Sequence, residues 1–163
     1  MVLPAPLRID MANLRARDPF SYRDDPTVPE FDDSGSIAVM DGTCALCSWG
    51  ARTIARLDRD GVFRICPVNS VIGTSLVRHY GLEPDNPETW LLVENGQAQS
   101  GMEAIIRIGS RLGGIARIVG VMRVLPRPAR EWVYRRIARN RYRFGRTDMC
   151  ALPDPELTRR LMM

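Results

Sequence analysis

The chain has 163 residues, 45% of them hydrophobic and 26% charged, with a net charge of +4 and four cysteines. That length suits one domain able to bury its own core, and four cysteines are too few for a disulfide scaffold. No apolar run reaches the roughly 18–20 residues that cross a bilayer, because Arg107, Arg111, Arg117 and Arg123 interrupt the most apolar stretch. The first residues lack the apolar core and cleavage site of a secretory signal, so the expected location is cytoplasmic.

All 23 basic residues are arginine, which reflects a GC-rich genome more than chemistry. They are unevenly placed. Residues 1–103 hold 9 arginines and 15 acids, whereas residues 104–163 hold 14 arginines and 4 acids. Such an asymmetry fits an anionic partner or pairing between the two halves.

Residues 1–34 read as a proline-punctuated acidic extension with little core, and residues 35–163 as the domain proper. Within the extension only Asp10 to Arg17 has the pattern of a short helix. The run "SIAVM" from Ser36 suits a buried strand. Cys44 to Leu57 follows with helical spacing, with Leu46, Trp49, Ala51, Ile54 and Leu57 near one face. After the Asp60-Gly61 turn, "VFRIC" is a second strand, and Ser70 to Tyr80 a helix closed by Gly81. "TWLLVENGQAQS" is a hairpin around Asn95-Gly96, the favoured type I′ pair. Met102 to Leu112 is an amphipathic helix, interrupted by Gly113-Gly114. Further helices are expected over Ile115 to Leu125 and Ala129 to Arg141. A last short one starts at Pro155, capped by Asp154.

Strand, helix, strand, helix, hairpin, helix is the order of the α/β thioredoxin-like fold, here with additional C-terminal helices. The pair "CALC" falls at the end of the first strand, where that fold carries its chemistry. A thiol at the first turn of a helix meets unpaired N–H groups and the positive end of the helix dipole, which favour thiolate. Cys44 occupies that position. Cys47, three residues on, returns on the same side within disulfide reach. It can therefore attack a mixed disulfide formed at Cys44 and release the reduced partner. On this reading Cys44 is the accessible thiol and Cys47 the deeper one.

"DGTCALC" resembles the D-x-x-C-x-x-C signature of the DCC family of thiol-disulfide oxidoreductases. "FRICPVNS", "VENGQ", "AIIRIGSRLGG", "VLPRPAREWVYRRIARNRYRFGR" and "CALPDPE" resemble segments of that family in the same order. The resemblance covers roughly Ile37 to Leu161. It implies a thioredoxin-like fold and thiol-disulfide exchange on a protein or low-molecular-weight disulfide, with no cofactor and no named partner. Carried onto this chain, it makes Cys44 the nucleophile, Cys47 the resolving thiol and Asp41 the family's acidic position. Asp41 has two open roles: taking the Cys47 proton during resolution, or closing the turn "DGT" through backbone N–H groups. The cis-proline that faces the dithiol in thioredoxins has no clear equivalent; Pro87 is the nearest candidate.

Two further cysteines are candidate auxiliary thiols. Cys66 closes the second strand at the same sheet edge as the dithiol, and its bland reading is a small buried residue. Cys150, in the loop "RTDMCALPDPE", resembles a recurrent family cysteine and reads equally as an exposed structural one. His79 ends a helix and receives no catalytic role. A zinc site would need Cys66, His79 or Cys150 to join the pair, and the chain offers no second close cysteine pair to complete it.

Two non-enzymatic readings stand beside the oxidoreductase: a catalytically silent thioredoxin-like binding subunit and a basic interaction module. Arg135, Arg136, Arg139, Arg141, Arg143 and Arg146 suggest the module. Against it, Trp132, Val133, Ile137 and Ala138 form a stripe suited to docking on a core. The acidic extension is expected to lie across these basic helices.

Overall fold

The computed structural model of the chain describes Leu14, residues 17–85 and residues 90–162. Ser36–Met40 forms strand β1, buried along its whole length. Its side chains alternate between two sides, as a strand dictates: Ile37 and Val39 join one buried cluster, Ala38 and Met40 the other. Helix α1 spans Ala45–Leu57, strand β2 Phe63–Pro67 and helix α2 Val71–His79. Strands β3 (Leu91–Glu94) and β4 (Gln97–Ser100) form the expected hairpin. Asn95 and Gly96 both have positive φ, 51° and 72°, as the type I′ turn requires. Helix α3 (Gly101–Leu112), a 3₁₀ segment (Gly114–Val124), helix α4 (Arg127–Asn140) and helix α5 (Pro155–Thr158) complete the chain. Asp154 caps α5 by accepting from the Leu157 N–H.

The sheet order is β2-β1-β3-β4, with β1 parallel to β2 and antiparallel to β3. This is the thioredoxin-like arrangement read from the sequence. Parallel neighbours need a crossover, and α1 supplies it. One side of the sheet is covered by α2, with Leu76 and Val77 in the cluster that holds Cys66. The other side is covered by α1, α3 and α5 through Ala51, Ile54, Ala104, Ile108 and Leu157. Each fully buried Phe63, Ile65 or Leu92 contributes about 1.5–3 kcal/mol of transfer free energy. The C-terminal residues lie along β2: the Ile65 N–H donates to the Arg160 carbonyl and the Met162 N–H to that of Ile65.

Several expectations are corrected by packing. The N-terminal segment contributes core after all, since Tyr22 and Val28 are buried with Val77 and Tyr80. Sparse apolar residues in a proline-rich stretch hide this, because the burial is long-range and has no period. Three acids of that segment find partners away from the basic helices. Asp25 pairs with His79, Asp32 with Arg64 and Asp33 with Arg23. His79 is thereby the clasp of the segment, with Nδ1 2.6 Å from Asp25 Oδ2 and Nε2 2.9 Å from Ser21 Oγ.

In α1 the buried face is Ser48, Ala51, Ile54 and Ala55, and Trp49 is exposed. In α4 it is Tyr134 and Ala138, while Trp132 and Ile137 are exposed. Pro87 and most of Asp10 to Arg17 lie outside the described residues. The charge asymmetry is resolved internally in part: Arg107 and Arg111 pair with Glu94, Arg123 and Arg130 with Glu103, and Arg160 with Asp58.

Candidate active site

β1 ends at Met40, and the turn Asp41–Gly42–Thr43 delivers Cys44 to the N-cap of α1. Cys44 has extended φ/ψ of −92° and 124°, and its Sγ accepts the Cys47 N–H at 3.4 Å. A sulfur thus stands where Ser, Thr, Asp or Asn usually caps a helix. The cap satisfies one of the orphan N–H groups of the first turn and directs an N–H donor at the Cys44 sulfur. All four cysteines are free thiols.

The depth of the two thiols is the reverse of the expectation. Cys44 has 0% exposure, whereas Cys47 is only partly buried. The cause is a strap from the far end of the chain, residues 141–149. Its Gly145 carbonyl accepts from the Ala45 N–H at 3.2 Å, the Thr147 N–H donates to Thr43 and the Met149 N–H to Gly42. Arg146 and Cys44 form an isolated antiparallel bridge. Backbone pairing of this kind has no side-chain signature, so nothing local in "CALC" announces it.

Asp41 fastens the strap. Its Oδ1 accepts from the Thr43 N–H at 2.7 Å and the Thr43 hydroxyl at 2.8 Å. Its Oδ2 accepts from Arg141 Nη2 at 2.6 Å and the Tyr142 hydroxyl at 2.5 Å. Burial opposes the charge, but Tyr142, Thr43 and Arg141 outweigh it and hold the carboxyl below its ordinary range. A carboxylate with four donors ties the turn to the strap.

Arg141 is the site residue that the sequence pattern places elsewhere. Counted there with the basic surface, it is buried and sits close enough to both Asp41 and Cys47 to interact electrostatically. The guanidinium groups of Arg141 and Arg146 each stand over the ring of Tyr142, at 4.9 and 4.8 Å. Arg141 lies a hundred residues from Asp41, in the segment "RNRYRFGR".

Burial, then the charge and hydrogen bond of the Cys44 sulfur, push the Cys47 thiol up to about 12, against the smaller opposing pull of Arg141. Cys47 therefore keeps its proton while Cys44 is reduced.

Cys66 is not brought to the pair. Cys66 is fully buried in the cluster on the α2 side, while Cys47 packs against the opposite one. Burial pushes the Cys66 thiol up to about 11, and its sulfur lies 3.4 Å from Ser70 Oγ. Cys150 is exposed, directly after the strap's buried Met149. With Cys66 on the far side of the sheet and His79 held by Asp25 and Ser21, the zinc set is not assembled. Among the described residues no three His, Cys, Asp or Glu side chains are grouped to hold a metal.

A family model described as DCC1-like thiol-disulfide oxidoreductase matches residues 38–147, a span that contains the turn, both thiols and the Arg141–Arg146 part of the strap. The chain is 32% identical over 127 residues to the uncharacterized protein YuxK of Bacillus subtilis (strain 168), covering 77% of this chain and 93% of that protein. No solved structure matches the chain. No helix among the described residues is long and apolar enough to cross a membrane.

Proposed function

The chain belongs to the DCC1-like thiol-disulfide oxidoreductase family, and from that premise we propose that it exchanges disulfides through Cys44 and Cys47. The observation that carries the proposal is the Cys44 sulfur at the N-cap of α1, accepting the Cys47 N–H. In the forward direction the Cys44 thiolate attacks one sulfur of a protein or low-molecular-weight disulfide. The substrate S–S bond breaks, one half leaves as thiolate, and a mixed disulfide forms on Cys44.

Cys47 then gives its proton to the thiolate released in the first step, or to water, and attacks the Cys44 sulfur. The second half of the substrate leaves as thiolate, and the protein holds a Cys44–Cys47 disulfide. Two electrons have passed to the substrate, and an external dithiol reverses the sequence. The high position of Cys47 favours this order. The neighbouring Cys44 sulfur is one cause that holds this proton, and it ceases to act as a free thiol once it is bonded in the mixed disulfide. Arg141 remains beside Cys47 to favour the anion. Asp41 acts in this scheme as the anchor of turn and strap and takes no proton.

The complete burial of Cys44 supports a second reading, a silent binding subunit whose strap stays shut. One experiment separates the two. Redox titration with alkylation and mass analysis should show a reversible loss of two protons mapped to Cys44 and Cys47. The variant Cys47→Ser should trap mixed disulfides that Cys44→Ser does not. No disulfide at any potential, and no trapping, would leave the silent reading standing.

A further inference from the structure

The segment Gly114–Val124 is 3₁₀-helical over 11 residues, well beyond the three or four at which such runs usually stop. The sequence pattern predicts an α-helix here, and the packing decides otherwise. At three residues per turn, every third side chain falls in one line. Ala116, Val119 and Met122 make the inner line: Val119 and Met122 pack beside Ile106 and Tyr134. The Ala116 carbonyl comes so close to Gly109 of α3 that a Cβ there would lie 2.6 Å from it. Arg117, Gly120 and Arg123 make the second line. Ile115, Ile118, Val121 and Val124 make the third, and they are 79, 69, 62 and 85% exposed. No residue of the segment is buried.

An exposed apolar line of this length marks a contact surface. Its occupant is indicated by charge and shape. From Gly113 to Arg130 the chain carries four arginines and no acid. Arg123 and Arg130 bind Glu103, and Arg117 and Arg127 have no carboxylate partner among the described residues. The four aliphatic side chains project as a ridge and lack the π-faces on which nucleic-acid bases stack. Nearby in the chain, Trp132 of α4 is 66% exposed. An apolar ridge flanked by arginine, too short to cross a bilayer, is the pattern of a segment lying in a lipid interface. Arginine stems can run beside the inserted side chains while their guanidinium groups stay at the phosphates.

We propose that the Gly114–Val124 ridge docks this protein on an anionic membrane surface, with Ile115, Ile118, Val121 and Val124 inserted and Arg117 and Arg127 on the lipid phosphates. The contact is independent of the dithiol. It is tested by flotation of the full chain with vesicles of phosphatidylcholine alone or mixed with phosphatidylglycerol. Binding to the anionic vesicles should be about tenfold tighter or more, because each arginine near the surface adds attraction, and added salt should weaken it. The double variant Ile118→Asp, Val121→Asp should lose about tenfold or more by removing apolar insertion. Arg117→Gln with Arg127→Gln should lose the preference for anionic lipid and keep the thermal unfolding of the parent. Because both ridge side chains are already exposed, the aspartate variant should also unfold like the parent and still form the Cys44–Cys47 disulfide. Equal binding to both vesicle types, or undiminished binding by either variant, would overturn the proposal. So would a concentration-dependent dimer that the aspartate variant abolishes, which would give the ridge to a second copy of the chain.

Discussion

The two parallel strands enter their helices through junctions built alike. After β1 the N-cap of α1 is Cys44, whose sulfur accepts the N–H of Cys47 three residues on. After β2 the N-cap of α2 is Ser70, whose oxygen accepts the N–H of Gly73, also three residues on. Each junction has a cysteine besides its cap residue, Cys47 in one and Cys66 in the other. At the first, the two sulfurs share a helix turn beside Arg141. At the second, the cap is oxygen and Cys66 is sealed in the core, with its thiol raised by burial. One backbone device serves stability in both places. It becomes a candidate for chemistry only where the cap atom is sulfur and another sulfur follows three residues later.

Exchanging the two cap atoms should give the largest effect. Cys44→Ser keeps a capping oxygen, so stability should change by no more than about 1 kcal/mol. Disulfide exchange with a chromogenic disulfide should fall to background. A variant that loses exchange only through unfolding would show it as a shifted denaturation midpoint.

Asp41 has no counterpart at the second junction, and removing it should break the comparison on the stability side. Asp41→Ala leaves Arg141 buried without its carboxylate, a loss of about 3–5 kcal/mol in chemical denaturation. It should also free the strap, so that Cys44 reacts with iodoacetamide faster than in the parent. Unchanged labelling would mean that backbone pairing alone holds the strap.

The two ionisable groups at the first junction predict opposite pH limbs. The Asp41 carboxyl is lowered in the folded state, so its contribution is complete above the ordinary carboxylate value of about 4 and is lost as pH falls through the folded one. Asp41→Asn should flatten the acid limb of stability. The Cys47 thiol is raised to about 12. Above the ordinary thiol value of about 8.5, the unfolded chain binds fewer protons than the folded one. Stability of the reduced protein should therefore fall as pH climbs toward the folded value. Cys47→Ser should lessen that alkaline loss, leaving the share of other raised groups such as Cys66, as read from unfolding midpoints across the alkaline range.

The second junction should respond only as structure. Ser70→Ala should cost about 1 kcal/mol and leave exchange intact. Cys66→Ala should cost about as much or less, again without loss of exchange. A fall in exchange with Cys66→Ala would return that thiol to the site.

The sequence by itself determined the elements whose cause is local. The apolar run of β1, the Asn95-Gly96 turn, the Asp154 cap and the spacing of Cys44 and Cys47 all follow from neighbours a few residues apart. Together with element order they specified the thioredoxin-like sheet, because a parallel pair joined by a helix and followed by a hairpin leaves few competing arrangements. Tertiary structure alone decided what covers what. Backbone pairing of Gly145, Thr147 and Met149 with the dithiol turn buries Cys44, and backbone groups are the same in every sequence. Arg141 reads as one more surface arginine until the fold carries it to Asp41. The same holds for the 3₁₀ line of Ile115, Ile118, Val121 and Val124. The sequence pattern suits a helix there, and the three-residue period appears only in the folded chain, where the Ala116 carbonyl lies close against Gly109.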